Sequence, residues 1–174
     1  MSGSEIAVVA GVGFGSALLG ALAGGLTTSL LEMWKQVLGG IDAARVIRYE
    51  MFINSSNLEM LMEGKIPGTT LTDDAWRAHR LALAPLLSES EMFYLCREQG
   101  FLPVAQQMVG QLSNPMNVGA ARKNLQDWIS SLKQRTYELA QLECRSRTQL
   151  FLKALRGRRF AALGELARTF EVAK

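Results

Sequence analysis

The chain has 174 residues, a formal net charge of +3 and 48% hydrophobic residues. This length is enough for one domain with a substantial core in addition to a membrane segment. The two cysteines, Cys96 and Cys144, are too few and too far apart for a disulfide framework or a thiolate metal cluster. We expect both thiols to be reduced and buried, and we expect no cofactor and no metal.

Residues 6–31 are the most distinctive stretch, because they contain no charged residue and no Asn, Gln, His or Pro; they read IAVVAGVGFGSALLGALAGGLTTSLL. As a helix with about 1.5 Å of rise per residue, the stretch is about 39 Å long. The hydrocarbon core of a bilayer is about 30 Å thick. The stretch therefore predicts a transmembrane helix.

Small residues recur on one face of this predicted helix. At about 100° per residue, Ala17, Gly20 and Gly24 lie within about 40° of Gly13, and leucines lie on the opposite side. Helices in lipid associate through close backbone approach, which Gly and Ala permit. The sequence therefore predicts a helix-packing face of Gly13, Ala17, Gly20 and Gly24, and self-association through it.

The same stretch has three alternative interpretations. A secretory signal peptide would place its cleavage site at residues 21–23, although the segment before it lacks the basic residues of such peptides. A dinucleotide-binding loop is disfavoured by Ser16, where that motif has Gly or Ala. A buried helix of a soluble domain is the third alternative, because six glycines lower hydrophobicity and helix propensity.

The flanking charges predict the orientation of the span. No Lys or Arg precedes it, whereas Lys35, Arg45 and Arg48 follow it. Because positive charges mark the cytoplasmic side, residues 1–5 are expected outside and the bulk of the chain in the cytoplasm. Trp34 and Lys35 are the predicted membrane-interface residues.

Residues 32–40 are predicted to be an interfacial segment that ends in a hinge at Gly39-Gly40, since paired glycines uncouple helices. Residues 41–174 are predicted to form the cytoplasmic helical domain. Its first helix is expected from residue 41 to 63, with a polar interruption at 54–57 and an end at Gly64. The predicted apolar face consists of Val46, Ile53 and Met60.

Three shorter helices are expected after a loop at residues 64–71, which lacks the pattern of a phosphate-binding loop. The first begins at Thr72, with acidic residues in its first turn, and ends before Pro85. Ser88 and Glu91 have the spacing of a capping box and begin the second, which breaks near Gly100. The third ends by residue 113.

The longest helix outside the span is predicted from Asn117 to Arg156, a stretch without proline. Its apolar positions alternate in steps of three and four, the spacing of a bundle seam. We expect this seam to pack within the chain, because the preceding helices need a surface to bury against. Pairing with the same helix of a second copy in a dimer is the alternative. The seam consists of Val118, Ala121, Leu125, Trp128, Leu132, Arg135, Leu139 and Leu142.

Basic residues concentrate near the C-terminus, where residues 144–164 contain six basic side chains and no acidic one. The interleaved apolar residues make an amphipathic stretch suited to anionic lipid, where each charge contributes about 1 kcal/mol. A solvated helix face is the alternative, and no recognised nucleic-acid-binding module accompanies the charge. The predicted basic surface consists of Arg145, Arg147, Lys153, Arg156, Arg158 and Arg159.

Together these features predict an all-α protein with one N-terminal transmembrane helix and a cytoplasmic helical bundle. No cluster of His, Cys or carboxylates indicates an enzyme, and the only histidine, His79, is interpreted as a solvated or capping residue. We expect a non-enzymatic interaction or assembly protein that binds the lipid bilayer and forms homo-oligomers or pairs with a membrane protein. The alternative is a membrane-perturbing effector whose spans line a pore.

Overall fold

The computed structural model describes residues 3–114 and 116–156, with side chains from residue 19 onward. Within these ranges the chain is helical and contains no strand, which confirms the all-α prediction. The elements are α1 (Gly3–Met62), α2 (Asp74–Leu83), α3 (Glu89–Gly100), α4 (Leu102–Gln111) and α5 (Val118–Cys144). Residues 147–156 are helical as well.

The chain divides into two compact units, Met1–Gln36 and Val37–Lys174. The second unit is a helical bundle in which α3, α4 and α5 pack on one another. Six of the eight predicted seam residues of α5 are buried in its core, and Val118 and Arg135 are half-buried. The prediction that this seam packs within the chain is therefore confirmed for most of its length. The large apolar side chains that are less than 2% exposed include Ile47, Met51, Leu58, Leu83, Leu86, Leu125, Leu132, Leu139 and Leu150.

Three polar contacts place the C-terminal part of α1 against α5 in antiparallel orientation. The Arg48 guanidinium binds the Glu143 carboxylate through two hydrogen bonds of 2.6 and 3.3 Å. Lys133 Nζ lies 2.5 Å from Glu59 Oε1. Arg122 donates to the backbone carbonyl of Met62 at the end of α1. Residue numbers increase along α1 in these contacts while those of the partner residues on α5 decrease. The two helices are therefore antiparallel.

Helix α1 runs without a break through Gly39-Gly40 and through residues 54–57, so both predicted interruptions are wrong. Gly40 is needed for close packing, because a Cβ placed there would lie 2.7 Å from the Ala82 carbonyl oxygen and from a Leu86 side-chain carbon. Asn54 is buried, and its amide bonds the backbone of Thr72 on another segment. Gly40 and Asn54, which would weaken an isolated helix, therefore make contacts with other segments of the chain here.

The predicted apolar face of α1 is also wrong, because Val46, Ile53 and Met60 are exposed. The buried face instead contains Ile47 and Met51, together with Leu58. Both faces of this part of α1 are rich in apolar residues. The choice between them is therefore made by the helices that pack against α1.

Helix α1 ends at Met62, and Gly64 terminates it as predicted, with a φ of 73° that is favourable for glycine. The Gly64 N–H donates to the Leu61 carbonyl, and the Lys65 N–H donates to the Met60 carbonyl. These two bonds form the Schellman motif that closes many helix C-termini. The predicted loop follows it and reaches α2.

Helix α2 is capped by a side chain from α1 and not by its own N-cap residue, Asp73, which makes no side-chain capping bond. The buried Glu50 carboxylate accepts hydrogen bonds from the backbone N–H groups of Ala75 at 2.9 Å and Trp76 at 3.1 Å. It also accepts from the Thr72 hydroxyl at 3.3 Å. A carboxylate at this position satisfies free N–H groups at the positive end of the helix dipole.

Other predicted boundaries agree with the structure. Ser88 and Glu91 form both bonds of the capping box that begins α3. Helix α3 ends at Gly100, and α4 begins at Leu102 with a proline in its first turn. These boundaries depend on residues adjacent in sequence, which is why the sequence alone predicts them.

Helix α5 is shorter than predicted, because it ends at Cys144 and not at Arg156. Arg145 adopts an extended conformation. The Ser146 hydroxyl then accepts a hydrogen bond from the Gln149 N–H, in the manner of an N-cap residue. In the sequence this boundary is marked only by Ser146, which has neither Gly nor Pro beside it, and the prediction therefore missed it.

We expect Gly40→Ala to destabilise the protein by about 1–3 kcal/mol relative to Gly39→Ala, because the added methyl group overpacks the contact with Ala82 and Leu86. Gly39 is the matched control, since a Cβ there has no atom within 4 Å. Both substitutions gain the same helix propensity. Urea unfolding measures the difference, and equal stabilities would contradict the close packing at Gly40.

We expect Glu50→Ala to lower the free energy of unfolding by about 1–3 kcal/mol, because the buried N–H groups at the start of α2 lose their acceptor. Amide hydrogen exchange at Ala75 and Trp76 should accelerate in the same variant. Asp74→Ala is the control: it removes only a charge near the helix dipole, worth about 0.3–1 kcal/mol. Unchanged exchange at these two amides in Glu50→Ala would show that Glu50 does not cap α2.

Candidate interaction surfaces

The exposed part of the predicted helix-packing face has open space beside it. A Cβ placed at Gly20 or Gly24 would have no atom within 4 Å. All residues from 19 to 32 are exposed, including Leu19, Leu22 and Leu26. At Gly13 and Ala17, the other two residues of this face, the structure describes the backbone alone. Within the first unit, Gly20 and Gly24 are therefore accessible for packing against another helix.

Among the described residues, we find no helix that combines the length and the apolar character required to cross a bilayer. The described side chains begin at residue 19, so half of the predicted span, residues 6–18, lies outside them. At the predicted membrane interface, Trp34 is half-buried and Lys35 is exposed.

A second exposed apolar surface lies on α1 within the bundle unit. Tyr49 and Phe52 are 64% and 55% exposed, and Val46 and Ile53 are 43% and 37% exposed. Single exposed apolar residues are common on proteins, but grouped ones mark interaction surfaces. Sequence periodicity identified part of this group, because Val46 and Ile53 also belong to the predicted apolar face of α1.

The residues of the predicted basic surface differ in exposure and ion pairing. Arg145, Arg147 and Arg156 are exposed, and none of them forms an ion pair with another described residue. Lys153 instead lies 3.2 Å from Glu91 Oε2 on α3. Arg158 and Arg159 lie outside the described residues.

The apolar side of the helical residues 147–156 is largely occupied by the bundle. Leu150 and Ala154 are buried, and Phe151 and Leu155 are half-buried. Only Leu152 among the apolar residues of this described segment is exposed. The segment can therefore offer positive charge to a partner, but it cannot offer the continuous apolar face of an amphipathic membrane helix.

The histidine and both cysteines of the chain are solvent-accessible. His79 is exposed, which agrees with its interpretation as a solvated residue. Cys96 and Cys144 are also exposed, so the prediction of buried thiols is wrong. The adjacent Leu95 faces the core, whereas Cys96 faces solvent one position further around the helix. In the described residues no group of three or more His, Cys, Asp or Glu side chains could hold a metal ion.

Glu91 connects the capping box to the basic segment. Its Oε2 accepts from the Ser88 N–H at 2.6 Å and the Ser88 hydroxyl at 2.8 Å, and it pairs with Lys153. Partial burial alone would raise the pKa of the Glu91 carboxyl, but the bonds from Ser88 and the Lys153 charge outweigh burial. The pKa of this carboxyl is consequently held below its ordinary value of 4.5.

No protein-family model matches the chain, and neither the curated proteins nor the solved structures searched include a match.

A lowered pKa in the folded state makes the stabilising effect of Glu91 dependent on pH. The effect is fully present above the unfolded-state pKa and is lost as the pH falls through the folded-state pKa. We therefore expect Glu91→Gln to be less stable than the native chain at neutral pH, with a difference that shrinks from about pH 4.5 downward. Urea unfolding across this pH range measures it. A difference independent of pH would contradict the role of the ionised carboxylate.

Proposed function

We propose that this protein is a membrane-anchored helical interaction or assembly protein without enzymatic activity. Residues 6–31 anchor it in the bilayer, and the bundle lies in the cytoplasm. The main support is the uncharged character of these residues, combined with the open space beside Gly20 and Gly24. Helices in lipid associate where small residues allow backbones to approach.

The partner at this face is a second copy of the chain or another membrane protein. Gly13, Ala17, Gly20 and Gly24 form the contact, while Trp34 and Lys35 lie at the membrane interface. The exposed apolar side chains on α1 in the bundle unit are consistent with an interaction protein. Arg145, Arg147 and Arg156 add electrostatic attraction to anionic lipid headgroups.

Membrane insertion and orientation are tested together with the full-length chain expressed in cells. We expect carbonate-resistant pelleting with the membrane fraction. We expect a Ser2→Cys variant to be labelled from outside by a membrane-impermeant thiol reagent, and the exposed Cys144 to be labelled only after the cells are opened. Recovery of the chain in the supernatant, or labelling of residue 2 only after lysis, would contradict the proposal.

Self-association is tested by cross-linking in membranes. The double variant Gly20→Ile/Gly24→Ile should reduce cross-linked oligomers severalfold, because branched side chains keep the backbones apart. Gly25→Ile is the matched control: it has the same open surroundings, but lies about 100° around the helix from Gly24. An equal reduction by both variants, or none, would contradict this packing face. Dye leakage from vesicles that contain the protein would instead support a pore-forming effector.

A further inference from the structure

Helix α1 exposes an apolar area in the bundle unit that is free of charged side chains. This apolar surface of α1 consists of Val46, Tyr49, Phe52 and Ile53. At about 100° per residue, these four positions lie within an arc of about 120° on one side of the helix. The charged residues of the same stretch point elsewhere, since Arg48 binds Glu143 on α5 and Glu50 caps α2. The surface is therefore suited to an apolar partner.

The described part of the bundle leaves this surface uncovered, because it packs on the other side of α1. Ile47, Met51 and Leu58 are fully buried. They lie within about 20° of the direction opposite the centre of the apolar surface. The exposed Met60 lies in the same arc as the apolar surface and extends it toward the end of α1. Helix α1 therefore has two apolar sides here, of which the described chain covers one.

Residues 157–174 lie outside the described residues, and their sequence contains a second apolar pattern. On a helix of about 100° per residue, the large apolar positions between 160 and 170 also fall within an arc of about 120°. Glu165, Arg168 and Thr169 fall on the other side. An amphipathic helix gains most of its stability by packing its apolar side on another surface. The positions in the arc are Phe160, Leu163, Leu166, Ala167 and Phe170.

The two apolar patterns are similar in size. As a helix, residues 160–170 make about three turns and span about 15 Å. The apolar surface of α1 is about 10 Å long from Val46 to Ile53, and about 21 Å long when Met60 is included. A helix formed by residues 160–170 therefore has the length and the apolar width to cover this surface.

The connection between the two segments is long enough for contact within one chain. Glu143 binds Arg48, so α5 ends beside the apolar surface of α1. From Glu143 to Arg156 the described chain covers at most about 26 Å, as three extended steps and a helix of ten residues. Residues 157–170 reach back about 29 Å, as four extended steps and a helix. The segment can therefore return to α1 from the end of the described chain.

We propose that residues 160–170 form a helix whose apolar side covers the apolar surface of α1 in the same chain. A segment tethered this closely has an effective concentration on the order of 1 mM at its binding surface. A second copy of the chain competes for the surface only when its own concentration approaches that value. Both segments belong to the unit Val37–Lys174, so the inference is independent of the membrane role proposed above.

The test measures how fast iodoacetamide modifies a cysteine placed in the apolar surface of the full-length chain. The reporter is Ser56→Cys, because Ser56 lies in the same arc of α1 and is half-buried. Cys96→Ser and Cys144→Ser remove the two native thiols, which are exposed. We expect Leu163→Glu to raise the modification rate of the reporter at least about fivefold, because a charged side chain on the apolar side of the segment prevents docking.

Two matched controls locate the effect. Ala161→Glu adds the same charge on the other side of the segment and should leave the reporter rate unchanged. Ser131→Cys places a half-buried thiol on α5, and its rate should not respond to Leu163→Glu. No increase at residue 56, or an equal increase with Ala161→Glu or at residue 131, would overturn the proposal. Protection of residue 56 that disappears on dilution would assign the surface to a second copy and would overturn it as well.

Discussion

The bundle unit depends on the antiparallel packing of α1 against α5. Three polar contacts join the two helices along their length. Two are ion pairs, Arg48 with Glu143 and Lys133 with Glu59, and the third is a hydrogen bond from Arg122 to the backbone carbonyl of Met62. The apolar seam of α5 lies in the core together with one face of α1. Ion pairs exposed to solvent contribute little by themselves, so the main stabilisation comes from the buried apolar side chains, and the polar contacts define the register.

Helix α2 is attached to this pair by a different kind of contact. Only Trp76 and Leu83 of α2 are buried. Its N-terminus is held by Glu50 and Asn54, and the preceding loop is held by Gln106, which bonds the backbone of Thr69 and Leu71. Buried polar groups are costly when unpaired and specific when paired. These side chains therefore fix the position of α2 together with the burial of Trp76 and Leu83.

This packing leaves two exposed apolar surfaces. Exposed glycines and leucines occupy residues 19–31, and a second group of exposed apolar side chains occupies α1 in the bundle unit. The arginines near the end of the described chain are exposed, but most of the apolar residues between them are buried or half-buried in the bundle. They are suited to electrostatic contact alone.

The sequence by itself determined the all-α class, the capping box of α3, the end of α1 at Gly64 and the seam of α5. Each of these depends on neighbouring residues or on a period along one helix. Tertiary structure decided the rest: which face of α1 is buried, the continuity through Gly40 and Asn54, the capping of α2 by Glu50, and the exposure of Cys96. These features arise from contacts between residues far apart in the chain, and local propensity does not contain that information.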